Sequence, residues 1–238
     1  AALGLWLLWA PPVAGAARPR LGLALGGGAA RGIAHVGVLE WLEEHHVPVD
    51  CVAGTSMGGL VGGAYAAGMS AGELHALLAT TSWNRLFQPS AHYDARPFRR
   101  KEDAAQYPVQ LELGLRNGVH LPAGLNPGHH VGMLLSRLAL PGSGQPDFDA
   151  LPTPFRCTAV DLVSAQPVVF ERGSLATALR ATMAIPGIFD PVRGAGTVLV
   201  DGGVLDNVPA GVARRMGADV VVAVNVLRVE PGAAPEDL

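Results

Sequence analysis

The sequence predicts an α/β fold with a mostly parallel central sheet, covered by helices on both faces and built as one domain. Three observations carry this. Short, wholly apolar runs that read as buried strands alternate with helical segments from residue 21 onward. Many of the 31 glycines stand at the ends of those runs, where strands meet helices. Of the 238 residues, 49% are hydrophobic and only 16% charged, enough to bury a large core.

The elements follow in order. Residues 1–17 hold an apolar run (Leu3 to Ala10) broken by Pro11-Pro12 and followed by Ala14-Gly15-Ala16. That is the layout of a secretory signal peptide, too short and too proline-interrupted for a comfortable membrane span. The expectation is an exported protein whose folded domain is residues 18–238. Leu21 to Leu25 reads as a buried strand entering the glycine turn Gly26-Gly27-Gly28. A helix follows from about Arg31 to His45, with Val36, Leu39 and Leu42 inward and Glu40, Glu43 and Glu44 outward. Val49 to Ala53 is a second strand and Met57 to Ala67 a helix of small residues able to pack close to a sheet. Ser70-Ala71-Gly72-Glu73 is a capping box opening a helix through Ala79.

Residues 81–108 are irregular. Their charge cluster, Arg96 to Asp103, reads as a solvated surface or as a contact for an acidic headgroup. Val109 to Leu121 alternates around Arg116-Asn117-Gly118, a hairpin signal. Asn126-Pro127 caps a helix through about Leu138, and Pro141 to Pro154 is a loop. Strands at Phe155–Val160 and Val168–Glu171 precede a helix capped by Ser174 and running to about Ala184. A strand at Val198–Val200, a helix at Val208–Met216 and a strand at Val220–Val224 complete the pattern. No internal repeat or linker interrupts residues 20–228.

A net charge of −3 without a basic patch gives no reason to expect nucleic acid. Cys51 and Cys157 lie in apolar strands and read as buried free thiols. No His/Cys/carboxylate cluster has metal-ligand spacing, so neither a metal nor another cofactor is expected.

The chemistry gathers at Gly54-Thr55-Ser56-Met57-Gly58. A sharp strand–turn–helix presents a nucleophile because the turn is strained and the helix N-terminus points at the seryl oxygen; small flanking residues leave room for it. Acyl transfer also needs backbone N–H groups aimed at the developing oxyanion. The turn from Gly26 to Gly32 offers such amides at a helix start. It could equally cradle a phosphate, but no Lys-Ser or Lys-Thr pair follows, and Ala29 breaks the Gly-x-Gly-x-x-Gly spacing.

All eight histidines precede residue 131, so the order nucleophile, acid, histidine fails for want of a late imidazole. His129 and His130 read as polar residues of an early helix turn. A carboxylate acting directly on the serine is the alternative. Asp201 ends an apolar strand before Gly202-Gly203, where a partly desolvated site would raise its pKa; it could also be a plain turn former. Asp161, at the end of another strand, is expected to serve structural hydrogen bonds.

Together these residues resemble the patatin-like phospholipase family. The matching blocks are the glycine loop ending Arg31-Gly32, the elbow at Ser56 and Asp201-Gly202-Gly203, in that order. Ile33 to Leu39, Ala181 to Gly187 and Asp206 to Pro209 match as well, so the resemblance spans about residues 20–228. It implies a three-layer α/β/α fold and a Ser-Asp dyad without histidine. Carried over by position, Ser56 is the nucleophile, Asp201 the base, and the amides of Gly27, Gly28 and Ala29 the oxyanion hole. Arg31 would orient that loop, and Gly54 and Gly58 would flank the elbow.

The implied activity is a lipid acyl hydrolase of phospholipase A or lysophospholipase type, acting on phospholipid or another lipid ester at a membrane surface. Ala29 stands where many members have a third glycine, Met183 where serine is frequent, and the chain stops soon after its last strand. The middle region is similar to the exported bacterial branch, whose members often continue into an outer-membrane β-barrel. That implies a periplasmic, outer-membrane-associated or secreted protein, its domain C-terminally incomplete here. The rival expectation is a catalytically vestigial exported module attached to such a barrel.

Overall fold

Alternation of side chains along the first two strands sets up the layers. In β1 (Leu21–Leu25) and β2 (Cys51–Thr55), paired in parallel, Leu23, Leu25 and Val52 enter the main core while Ala24 and Ala53 face the opposite side. The computed structural model describes residues 18–81, 124–126, 129–194 and 196–227, without the side chains of 124–126 and 129–130. The segment 1–17, the charge cluster and the expected hairpin lie outside these residues.

The main core is closed by α1 (Ala34–Glu44), α2 (Met57–Ala66), α3 (Ala71–Thr80), α4 (His129–Ala139) and α5 (Leu175–Thr182). On the far face α6 (Ala210–Arg215) packs Val212 and Ala213 against Ala24 and Ala53. This gives the three layers α/β/α. Val36, Leu39 and Leu42 are buried on α1, and Ser70 and Glu73 form the expected capping box on α3. Cys51 and Cys157 are buried and unbridged.

The remaining strands are β3 (Gly124–Asn126), β4 (Phe155–Asp161), β5 (Gln166–Phe170), β6 (Gly187–Phe189), β7 (Val192–Gly194), β8 (Thr197–Asp201) and β9 (Val220–Val224). The central sheet runs β7-β8-β4-β2-β1-β9, with β5 also paired to β4. Strands β9, β1, β2 and β4 form a parallel block, while β5 and β8 run against it. The parallel expectation therefore holds for the block and not for its far edge. Four residues separate β4 from β5, too few for a parallel crossover, so that pair can only be antiparallel. A short parallel pairing of β3 with β6 lies apart from the central sheet.

One consequence of this register positions the site. Both β5 and β8 pair with Ala159 to Asp161, and both β5 and β2 pair with Cys157 and Thr158. A strand has two edges, so β2 and β8 must share the edge of β4 opposite β5. They approach head-on, because β2 is parallel to β4 and β8 antiparallel. Thr55 stands opposite Thr158 and Asp201 opposite Ala159, so the two C-terminal ends meet.

Candidate active site

Ser56 is the first residue beyond β2 and adopts φ 55, ψ −124, a conformation that a non-glycine side chain holds only under constraint. The constraint is backbone packing. A Cβ on Gly54 would press into the backbone of Gly58 and Gly59, and one on Gly58 would press into the Leu25 carbonyl. Only glycine at both places lets α2 start directly against β1 and β2. The Ser56 amide donates to Thr182 Oγ1 at 2.8 Å, and Ser56 Oγ lies 4.0 Å from Met183 Sδ.

Asp201 ends β8 and is 5% exposed, as Ser56 is 4%. Its Oδ1 accepts the Gly203 amide at 2.8 Å, and its own amide donates to Ala184 O at 2.9 Å. The Ser56 side chain is close enough to the same carboxylate to favour its ionised form. Burial pushes the Asp201 pKa above the ordinary carboxylate value, opposed by the hydrogen bonds from Ser56 and Gly203. Behind the pair, Thr55 Oγ1 donates to Asp206 O at 3.0 Å, so the Thr158 hydroxyl 2.6 Å away must donate to Thr55. That chain ties β2, β4 and the turn after Asp201 into one block.

The glycine turn is gripped from two sides. Asn207 accepts the Gly27 amide through its carbonyl at 3.1 Å and donates Nδ2 to Gly27 O at 3.3 Å. His35, wholly buried on α1, lies 2.7 Å from Gly26 O through Nε2. A carbonyl only accepts, so the proton sits on Nε2, and Nδ1 is a buried lone pair without a partner among the described residues. Burial drives the His35 pKa down, against the pull of the Gly26 hydrogen bond, so this imidazole is neutral. Ala29 then takes φ 47, in the left-handed region, as it opens the 3₁₀ turn leading to α1.

These parts line one open cavity of about 590 Å³. Gly28, Ala29, Ser56 and Asp201 form its polar floor, and Ile185, Pro186, Val204 and Leu227 its apolar sides. Among the described side chains no imidazole lines it. The model of the patatin-like phospholipase family matches residues 23–214, a stretch holding the elbow, the glycine turn and Asp201. The chain belongs to this family. A relative from Mycobacterium bovis, "Uncharacterized NTE family protein Mb1092c", is 34% identical over 224 residues, covering 93% of this chain and 53% of the relative. Lysophospholipase NTE1 of Candida albicans is 28% identical over 216 residues, covering 88% of this chain and 13% of the relative. The chain thus spans about half the length of the first and far less of the second. VipD from Legionella pneumophila superposes with a TM-score of 0.49 at 15% identity, over 92% of this chain and 48% of that one.

Within the family frame, the residues expected from the sequence divide in two. Ser56, Asp201, Gly28 and Ala29 meet at the cavity, with Gly54 and Gly58 directly beneath the elbow. The Gly27 amide is different: it is already spent on the Asn207 carbonyl, leaving the amides of Gly28 and Ala29 without a carbonyl partner among the described residues. Arg31, expected to orient that loop, lies beside it at the cavity. Its side chain is exposed at the cavity rim, and His35 and Asn207 hold the loop. Asp161 has the structural part expected, accepting the Val198 amide at 2.9 Å and the Ser164 hydroxyl at 2.7 Å.

Proposed function

We propose that this chain is a carboxylic-ester hydrolase of phospholipase A or lysophospholipase type, working through a Ser56–Asp201 dyad. Asp201 takes the Ser56 proton as Oγ attacks the ester carbonyl of a lipid, and the oxyanion gathers on the amides of Gly28 and Ala29. Asp201 returns the proton to the leaving alcohol as the carbon–oxygen bond breaks, leaving an acyl group on Ser56. A water deprotonated by Asp201 then attacks the acyl carbon, the carbon–Oγ bond breaks, and Asp201 returns the proton to Ser56 Oγ as the fatty acid leaves.

The observation that carries this reading is a strained, buried serine beside a buried carboxylate whose pKa is raised, in a cavity with apolar sides. The lysophospholipase name of the fungal relative supports the lipid class. Recruitment to a membrane surface fits the exposed Val204, Leu205 and Leu227 at and beside the cavity mouth. Export through residues 1–17, and attachment to an outer-membrane barrel, are proposals from the sequence. The test is fatty-acid release from phosphatidylcholine and lysophosphatidylcholine vesicles. Wild type is expected to release acid and a folded Ser56→Ala variant none; equal release by both would overturn the reading.

A further inference from the structure

The end of α5 touches both members of the dyad through three consecutive residues. Thr182 Oγ1 accepts the Ser56 amide at 2.8 Å, Met183 Sδ lies 4.0 Å from Ser56 Oγ, and Ala184 O accepts the Asp201 amide at 2.9 Å. Ser56 and Asp201 are 145 positions apart in sequence, yet this tripeptide holds the backbone of each. Thr182 itself is wholly buried, and its methyl packs against Gly59 so closely that a Cβ there would lie 2.9 Å from Thr182 Cγ2.

The Ser56 amide has particular need of such a partner. It belongs to the residue before α2, so the helix offers it no carbonyl, and a residue at φ 55 persists only where its surroundings over-determine it. No other acceptor serves it among the described residues. The hydroxyl at 182 therefore joins the strained elbow to the chain that, two residues on, anchors the carboxylate.

We propose that Thr182 is a positioning residue that sets the reach between Ser56 and Asp201, and so the rate of the chemical steps. This rests on the reading of those two as nucleophile and base. Thr182→Val keeps the shape and a methyl but removes the acceptor; Thr182→Ser keeps the acceptor and removes the methyl. The experiment measures kcat and KM for both on a soluble short-chain ester, with Ser56→Ala in the same assay.

The Val variant is expected to lose about 10–100-fold in kcat with KM unchanged, as a displacement of the reacting atoms does. The Ser variant is expected to recover most of that loss. A Val variant with wild-type kcat, or Val and Ser variants that lose kcat equally, would overturn the inference, the second by assigning the effect to methyl packing. Turnover surviving in Ser56→Ala would instead show that the dyad reading had failed, whatever Thr182 does.

Discussion

Asp201→Asn should remove turnover and, at neutral pH, make the protein more stable. Asp201 is 5% exposed, and burial outweighs the hydrogen bonds from Ser56 and Gly203 in raising its pKa above the ordinary carboxylate value. A carboxyl group with a raised pKa in the fold favours the protonated form. The stabilising contribution of that form is fully present below the unfolded value and is lost as pH rises through the higher folded value. As pH rises through and beyond the folded value, wild type comes to bear the whole cost of ionising a buried group. Asparagine carries no charge and keeps an oxygen for the Gly203 amide. Loss of a general base costs about 10²–10⁴-fold in kcat. Thermal melts from about pH 4 to pH 9 on both proteins, with ester turnover alongside, make the assay. The melting temperature of the variant should exceed that of wild type by a margin that grows with pH and then levels. A margin that widens toward acid, a less stable variant at pH 8, or retained turnover would refute the reasoning.

Two further outcomes follow from the geometry. Ala29 at φ 47 carries left-handed strain of about 1–2 kcal/mol, so Ala29→Gly should hold or slightly raise the melting temperature. Ala29→Val, β-branched in that conformation, should lower both melting temperature and kcat; a Val variant as stable as wild type would contradict the strain. Replacing His120, His129 and His130 together should leave most ester turnover in place. Its complete loss would point to an imidazole base instead of Asp201.

Much of the fold is legible because burial and backbone approach dictate residue type. The apolar runs of β1, β2, β4, β8 and β9 are each found within two residues, and the capping box at Ser70 marks the start of α3. Strand direction is not carried by composition: β8 reads like any buried strand, and its antiparallel pairing comes from the path of the chain. The four-residue gap between β4 and β5 was the available signal for that half of the sheet. Strands β6 and β7, three residues each, are too short for any periodicity to show.

The elbow was legible for a similar reason, since Gly54 and Gly58 are demanded by backbone contact. The residues that brace it were not. Thr182 stands in register with Leu175, Ala178 and Leu179 on the buried face of α5, and His35 with Leu39 and Leu42 on that of α1. A polar side chain at a core position was the signal in both, because such a group must find a partner inside. The commitment of the Gly27 amide to Asn207 left no trace, since both groups are main chain.

The most direct test of the account is covalent labelling with a fluorophosphonate ester, followed by peptide mapping. One adduct on the peptide carrying Ser56 is predicted for wild type, and none for Ser56→Ala. Asp201→Asn should label far more slowly than wild type. A label on another residue, or full hydrolysis by a protein whose Ser56 stays unmodified, would contradict it.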